Sequence, residues 1–278
     1  MTAGPINADG VAPTRWSVAA QLSRAAGVMV LLAVAACAQV PTDLEARVAY
    51  DQANDPAEPT NRVVFAVNQW VDRNALQPTA RAYENHVPSA VRKRIRSFTL
   101  NLKGPSILVN DMLQANFSRA WTTTQRFAVN TTLGGAGLYD VATDWDLPYH
   151  DADFGQTFGV WGVGPGLSLQ LPLLGPSNVR DAAGQVAGFL ANPLGFVPSG
   201  TVQTVFVVSN GVGAVDERAE ALKMTDTLEQ TSLDYYVALR SMHAQRRAAF
   251  VEEGRAGESV ASGTVGPVIP APAGTSTP

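Results

Sequence analysis

The chain is expected to fold mainly as α-helices, and three observations carry that expectation. Helix-starting and helix-stopping residues bracket apolar runs with a repeat near 3.6. Strand-like alternation is confined to Leu167-Ser168-Leu169-Gln170-Leu171, which Pro172 cuts short. Residues 154–210, 57 in number, hold only two formal charges, Arg180 and Asp181, where the chain-wide 16% would place about nine. A segment so poor in charge is either wholly interior or faces something apolar.

Before the first helix lies an export segment. Arg15 and Arg24 precede the uncharged residues 25–36, a basic region and short apolar core of the kind that ends at a small-residue cleavage site. Such a core is too short to span a bilayer as a helix. Cys37 is the only cysteine, and Val34-Ala35-Ala36-Cys37 matches the lipobox of bacterial lipoproteins, in which the thiol carries a diacylglycerol and cleavage leaves Cys37 as the new N-terminus. The alternative is a plain export signal with an incidental cysteine, a liability in an oxidising compartment. Ala38 stands where an inner-membrane retention signal usually places Asp, which leans towards the outer membrane.

Without residues 1–36 the chain has 18 basic and 23 acidic groups, a net charge of −5 that disfavours nucleic acid as a partner. With no thiol left to form a disulfide, packing must supply stability. The chain divides into a signal peptide at 1–36, a polar tether at 37–54, one folded domain at 55–252 and a disordered tail at 253–278 rich in Pro, Gly, Ala, Ser and Thr.

Within the domain, Asp55-Pro56-Ala57-Glu58 combines an N-cap acceptor, an early proline and a first-turn carboxylate, with Pro59 deferring the regular helix by a residue or two. That helix, carrying Val63, Val64, Phe65, Val67, Trp70 and Val71, is apolar over much of its circumference. Ser89 after Pro88 opens a second helix with Val91, Ile95, Phe98 and Leu102 on one face and Arg92, Lys93, Arg94 and Arg96 on another, and Gly104-Pro105 is expected to stop it. The basic face suits either anionic headgroups or plain solvation. Further helices are expected at 106–114, at 118–132 behind Ser118, at 178–191 behind Asn178, at 199–210 and at 216–252, the last with a break near Thr231. Glycines and prolines interrupt residues 154–210, so no apolar run reaches the ~18 residues of a spanning helix. Irregular backbone at membrane depth needs protein or a watery cavity around it. Gly184 and Gly188 offer a small-residue face for close helix approach, in lipid or within a soluble contact.

Signals for an enzyme are weak. There is no Gly-x-Ser-x-Gly elbow, and His86, His150 and His243 sit in unrelated segments. His150 with Asp151 and Asp153 lacks a second histidine, and Gly162-Val-Gly-Pro-Gly166 lacks the Lys-Ser/Thr of a phosphate loop. The expectation is a non-enzyme with neither metal nor cofactor.

Several blocks then carry a resemblance: 55–62 (DPAEPTNR), 109–114 (VNDMLQ), 126–142 (RFAVNTTLGGAGLYDVA), 154–166 (FGQTFGVWGVGPG), then Gln170, Pro172, Gly175 and Arg180-Asp181. In order and rough spacing they resemble the VacJ (MlaA) lipoprotein family over about residues 55–250. Pro59 and the tail depart from that pattern. The resemblance implies a ring-like assembly of short amphipathic helices embedded in one leaflet of the outer membrane, with a central channel. Through it phospholipids astray in the outer leaflet would leave towards the periplasm, preserving lipid asymmetry. The implied partners are phospholipids, a trimeric porin, a soluble periplasmic carrier similar to MlaC and an inner-membrane ABC transporter. A structural lipoprotein that scaffolds porins without moving lipid is the alternative.

Gly134, Gly135, Gly137, Gly162, Gly164 and Gly166 are candidates for shaping a channel wall, because glycine permits turns and leaves room for a headgroup. They could equally form only caps and turns. Asn61, Arg62, Arg126 and Asn130 are polar groups on apolar helices, and such groups need partners. They would contact headgroups or tie helices together. Arg180 and Asp181, being adjacent on a helix, are not expected to pair with one another.

Overall fold

The structure, a computed structural model, describes Asp43 and residues 55–257. Cys37, the signal segment, the rest of the tether and residues 258–278 lie outside the described residues.

Helix α1 (Glu58–Val71) begins where Pro59 defers it to, but Asp55 is not its cap: Ala57 holds that position and makes no side-chain cap bond. The Asp55 carboxylate is turned inward, where it accepts from Asn61, Tyr236 and Arg240. A five-residue π-helical segment (Asp72–Leu76) carries α1 into α2 (Gln77–His86). Sequence patterning gave no sign of this wide turn, which is braced from outside by the Arg218 guanidinium on both Asp72 oxygens at 2.8 Å.

Helix α3 (Ser89–Leu113) runs unbroken through Gly104-Pro105, contrary to the stop expected there. Pro105 does forfeit one backbone donor, but tertiary packing outweighs that cost. A Cβ on Gly104 would lie 3.0 Å from Phe127 Cδ2, so the missing side chain is what lets α4 (Phe117–Thr132) lie close. Asp140 caps α5 (Val141–Asp144), and Asp153 caps α6 (Phe154–Val160) through the Gln156 N–H at 2.7 Å.

The alternating segment forms β1 (Ser168–Leu171), which pairs antiparallel with β2 (Gly175–Asn178) in the register Ser168↔Asn178 and Leu171↔Gly175. The partner strand, Gly-Pro-Ser-Asn, has turn composition and no strand signal of its own. Asn178 caps α7 (Val179–Leu190), and a 3-10 turn (Pro193–Phe196) leads to α8 (Gly200–Thr231). The expected gap at 211–215 is absent: α8 is one helix of 32 residues. The expected break near Thr231 is present, and α9 (Tyr235–Ala256) follows behind the Asp234 cap. It ends on Gly257 with φ +70°, so it extends four residues into the stretch expected as tail.

Packing is inverted relative to a water-soluble core. Among the described residues the buried apolar set is small, mainly alanines with Ile107, Leu222, Tyr236 and Val251, while buried polar groups outnumber it about two to one. Large apolar groups face outward instead: Val63, Val67 and Trp70 on α1, Phe117 and Trp121 on α4, Val186, Phe189 and Leu190 on α7, and Val207 and Val208 on α8. Burial in water would reward the opposite arrangement at about 25 cal/mol per Å², so this exterior is matched to an apolar surrounding. No described helix is long and apolar enough to cross a membrane.

Candidate functional site

The four polar candidates fall into two groups, and the fold does not bring those groups together. Asn61 donates from Nδ2 to Asp55 Oδ1 at 2.7 Å and to the Ser168 carbonyl at 3.1 Å, and its Oδ1 accepts from the Gln170 N–H at 2.9 Å. One turn pair further along α1, Asn68 clamps the hairpin tip, donating to the Leu171 carbonyl and accepting from the Leu173 N–H, both at 2.8 Å. The asparagines that interrupt the apolar helix therefore hold the hairpin in place of a third strand. Arg62 is half-exposed and bridges Glu58 and the Asp234 cap of α9.

Arg126 and Asn130, on α4, converge on Asp140. Arg126 Nη2 reaches both carboxylate oxygens at 2.8 and 2.9 Å, and Asn130 Nδ2 reaches Oδ1 at 2.9 Å while its Oδ1 takes the Ala142 N–H. Arg126 also donates to Thr143 Oγ1 and the Leu147 carbonyl. Burial pushes the Asp140 pKa up, but bonds from Thr143 and Asn130 and the Arg126 charge more than offset it, and the carboxyl sits below its usual range. Beside this cluster, His150 Nε2 meets Asp111 Oδ2 at 2.8 Å and Thr123 Oγ1 at 3.1 Å, while Asp153 turns away to cap α6 and pair with Arg247.

The glycine candidates occupy two turns. Gly134, Gly135 and Gly137 follow α4. A Cβ at Gly134 would lie 2.2 Å from the Tyr139 carbonyl oxygen, and Gly137, at φ +91°, would drive one into Asn101 at 2.6 Å. Gly135, at φ +60°, faces open space. Gly162, Gly164 and Gly166 follow α6; Gly162 is exposed at φ +92°, Gly164 is half-buried, and Gly166 is buried against Val179. Backbone geometry therefore demands glycine at Gly134 and Gly137 whatever else those positions do.

Arg180 and Asp181 do pair, against expectation: Arg180 Nε lies 2.8 Å from Asp181 Oδ1. Both sit in the first turn of α7, where the Asp181 side chain folds back to the Asn178 cap, taking its Nδ2 at 2.7 Å, and the long arginine curls to meet it. Arg247 of α9 completes the cluster, joining Asp181 to Asp153 at 2.9 and 2.7 Å. The Gly184 face also resolves here. A Cβ on Gly184 would lie 2.3 Å from the Gly155 nitrogen, so the small-residue contact is internal, α7 on α6. Burial beside these cations depresses His243 from 6.5 to about 4. Between those values the unfolded chain binds the extra proton, so stability is lost as pH falls from about 6.5 to about 4. A loss of at most ~3 kcal/mol is expected, measured as the wild-type change in denaturation free energy that His243→Gln does not show.

One recess was not legible in the sequence. Thr99, Leu102 and Lys103 of α3 face Phe206, Ser209, Asn210, Gly213, Ala214 and Glu217 of α8 across a cleft of about 180 Å³. Lys103 Nζ lies 3.0 Å from Glu217 Oε1. Desolvation works against the ammonium, but Asp151 and Glu217 outweigh it and raise its pKa above the ordinary lysine value. Lys103 keeps 40% of its side chain exposed. The partners are 114 residues apart, and no local pattern links them. Of the basic face on α3, Arg96 pairs with the buried Asp216 and with Glu220, Arg94 lies 3.8 Å over the Tyr139 ring, and Lys93 is exposed.

Comparison with known proteins converges on one family. The MlaA lipoprotein family model matches residues 53–250. An uncharacterised protein of Rickettsia felis is 36% identical over 197 residues, 70% of this chain and 77% of its own. The intermembrane phospholipid transport system lipoprotein MlaA of Escherichia coli K12 is 32% identical over 216 residues, 76% of this chain and 81% of its own. A structure solved in work on the maintenance of bacterial outer membrane lipid asymmetry superimposes with a TM-score of 0.62 at 32% identity, covering 71% of this chain and 98% of that one.

Proposed function

Because the chain belongs to the MlaA lipoprotein family, we propose that it is held at the periplasmic leaflet of the outer membrane by a lipid on Cys37 and removes phospholipids misplaced in the outer leaflet. The observation that carries this reading is the inversion: polar side chains tie the interior together while tryptophans, leucines and valines face outward, and no helix among the described residues is long and apolar enough to cross a bilayer. Such a body is stable lying in one leaflet.

The physical task is to move a charged headgroup through hydrocarbon, where an ionised group costs several kcal/mol or more. A recess lined by Lys103, Glu217 and Asn210 together with Leu102 and Phe206 would lower that barrier while acyl tails stay among apolar groups. The tails then need shelter, since each methylene entering water costs about 0.8 kcal/mol. A soluble periplasmic carrier would supply it, with an inner-membrane ABC transporter beyond and a trimeric porin beside the lipoprotein. Among the candidate glycines, Gly135 and Gly162, both at positive φ and facing open space, have room to border a lipid path.

The test measures phospholipid in the cell-surface leaflet of a strain lacking the gene, complemented with wild type or Cys37→Ala at matched expression. Surface phospholipid is expected to rise several-fold on deletion, to fall with wild type and to stay high with Cys37→Ala. An unchanged leaflet with altered porin assembly would replace lipid removal by a porin scaffold.

A further inference from the structure

We propose that the recess between α3 and α8 selects lipids by headgroup, Lys103 taking the phosphate and Glu217 a headgroup amine, so that zwitterionic aminophospholipids are favoured over anionic ones. The inference rests on the lipid-removal reading above and assigns the substrate class of the same protein.

Charge inventory is the starting point. Lys103 is the one cation and Glu217 the one anion among the residues lining the cleft. One ammonium therefore stands against one carboxylate, 3.0 Å apart. A phosphate arriving alone, on binding Lys103, strips Glu217 of its partner. A headgroup that carries an amine a few ångströms from its phosphate satisfies both groups together. Selection then comes from the unpaired charge left by the wrong lipid, not from extra contacts with the right one.

The resting pair can be exchanged. Lys103 and Glu217 are 40% and 69% exposed, and exposed pairs contribute little to stability, so opening this one for a ligand costs little. Most other arginines near the interior are committed: Arg96 to Asp216 and Glu220, Arg126 to Asp140, Arg247 to Asp153 and Asp181. Leu102, Phe206 and Ala214 also line the recess, which suits the glycerol and first methylenes behind a headgroup. Its volume of about 180 Å³ admits a headgroup but not two acyl chains, which would stay among the outward-facing apolar residues.

The experiment extracts the full-length lipidated protein from its own membrane and compares, by mass spectrometry, the headgroups of co-purified phospholipid with those of the membrane pool. Wild type is expected to be enriched several-fold in aminophospholipid. Glu217→Lys is expected to lose or invert that bias, while the exchange Lys103→Glu with Glu217→Lys, which preserves the pair and the charge inventory, retains it. Excess inorganic phosphate is expected to displace no more lipid than chloride at equal ionic strength. A wild-type lipid profile equal to the pool, or a bias unchanged in Glu217→Lys, overturns the headgroup assignment and leaves lipid removal standing. Displacement by inorganic phosphate specifically would make the recess a phosphate site and overturn it too. Wild-type protein that carries no phospholipid at all overturns the lipid-removal reading, and this inference with it.

Discussion

Replacement of Asp140 by Ala is expected to cost about 3–5 kcal/mol and to remove most of the folded protein from the cell. Among the described residues Asp140 is the only carboxylate paired with Arg126, whose side chain is 9% exposed. Without it a buried cation keeps just neutral partners, the Thr143 hydroxyl and the Leu147 carbonyl, and Asn130 loses the acceptor for its amide. Breaking one half of a buried pair is far more costly than deleting both, so Arg126→Met with Asp140→Leu should recover part of the loss, which a double-mutant cycle on denaturation midpoints in detergent measures. Asp140→Asn, which keeps the shape and one acceptor, is expected to fall between. The cycle also decides what Arg126 is for. If Arg126→Met left abundance and midpoint unchanged while impairing lipid removal, the residue would act on headgroups rather than on the fold.

Gly184→Ala is expected to be strongly destabilising, while Gly188→Ala, one turn away, is expected to be neutral or stabilising. A Cβ on Gly184 would meet Gly155 N at 2.3 Å and Gly155 Cα at 2.6 Å. These are backbone atoms that cannot rotate aside, so α7 would have to move off α6. Overpacking of this kind costs typically ~1–3 kcal/mol and occasionally more. The displacement would also pull Asp181 from Arg247, which binds Asp153 as well and so ties α7 and α6 to α9. At Gly188 the nearest atom is Phe154 Cδ2 at 3.6 Å, an ordinary contact, and removing a glycine from a helix is worth up to about 1 kcal/mol. Thermal unfolding of the two variants in the same detergent is the check; equal midpoints would mean that α6 and α7 are not in glycine-on-glycine contact.

Particular residues show how far the sequence could be read. Asn178 before α7, Pro59 at the start of α1 and the break near Thr231 were legible because capping and proline sterics act within a few residues of chain. Gly104-Pro105 misled for the same reason: its local cost is real, but Phe127 from another helix turns the glycine into a packing site. Asp55 misled likewise, since its carboxylate was taken by Tyr236 and Arg240, more than 180 residues away, before it could serve as a cap. The π-helical segment, strand β2 and the pairing of Arg180 with Asp181 left no local trace.

By itself, then, the sequence determined the helical class, the positions of most helix starts and the shortage of charge at 154–210, because each depends on near neighbours or on composition. It also determined the family, since spaced blocks of residues identify descent without geometry. Only the tertiary structure decided which polar groups are consumed in holding the helices and which are left to meet a ligand. Arg126 and Asn130 read as headgroup candidates and are spent on Asp140, whereas Lys103, unremarkable in sequence, ends in a recess opposite Glu217. A charge acquires its role from the counter-charge and the dielectric around it, and both are fixed by segments a hundred residues away.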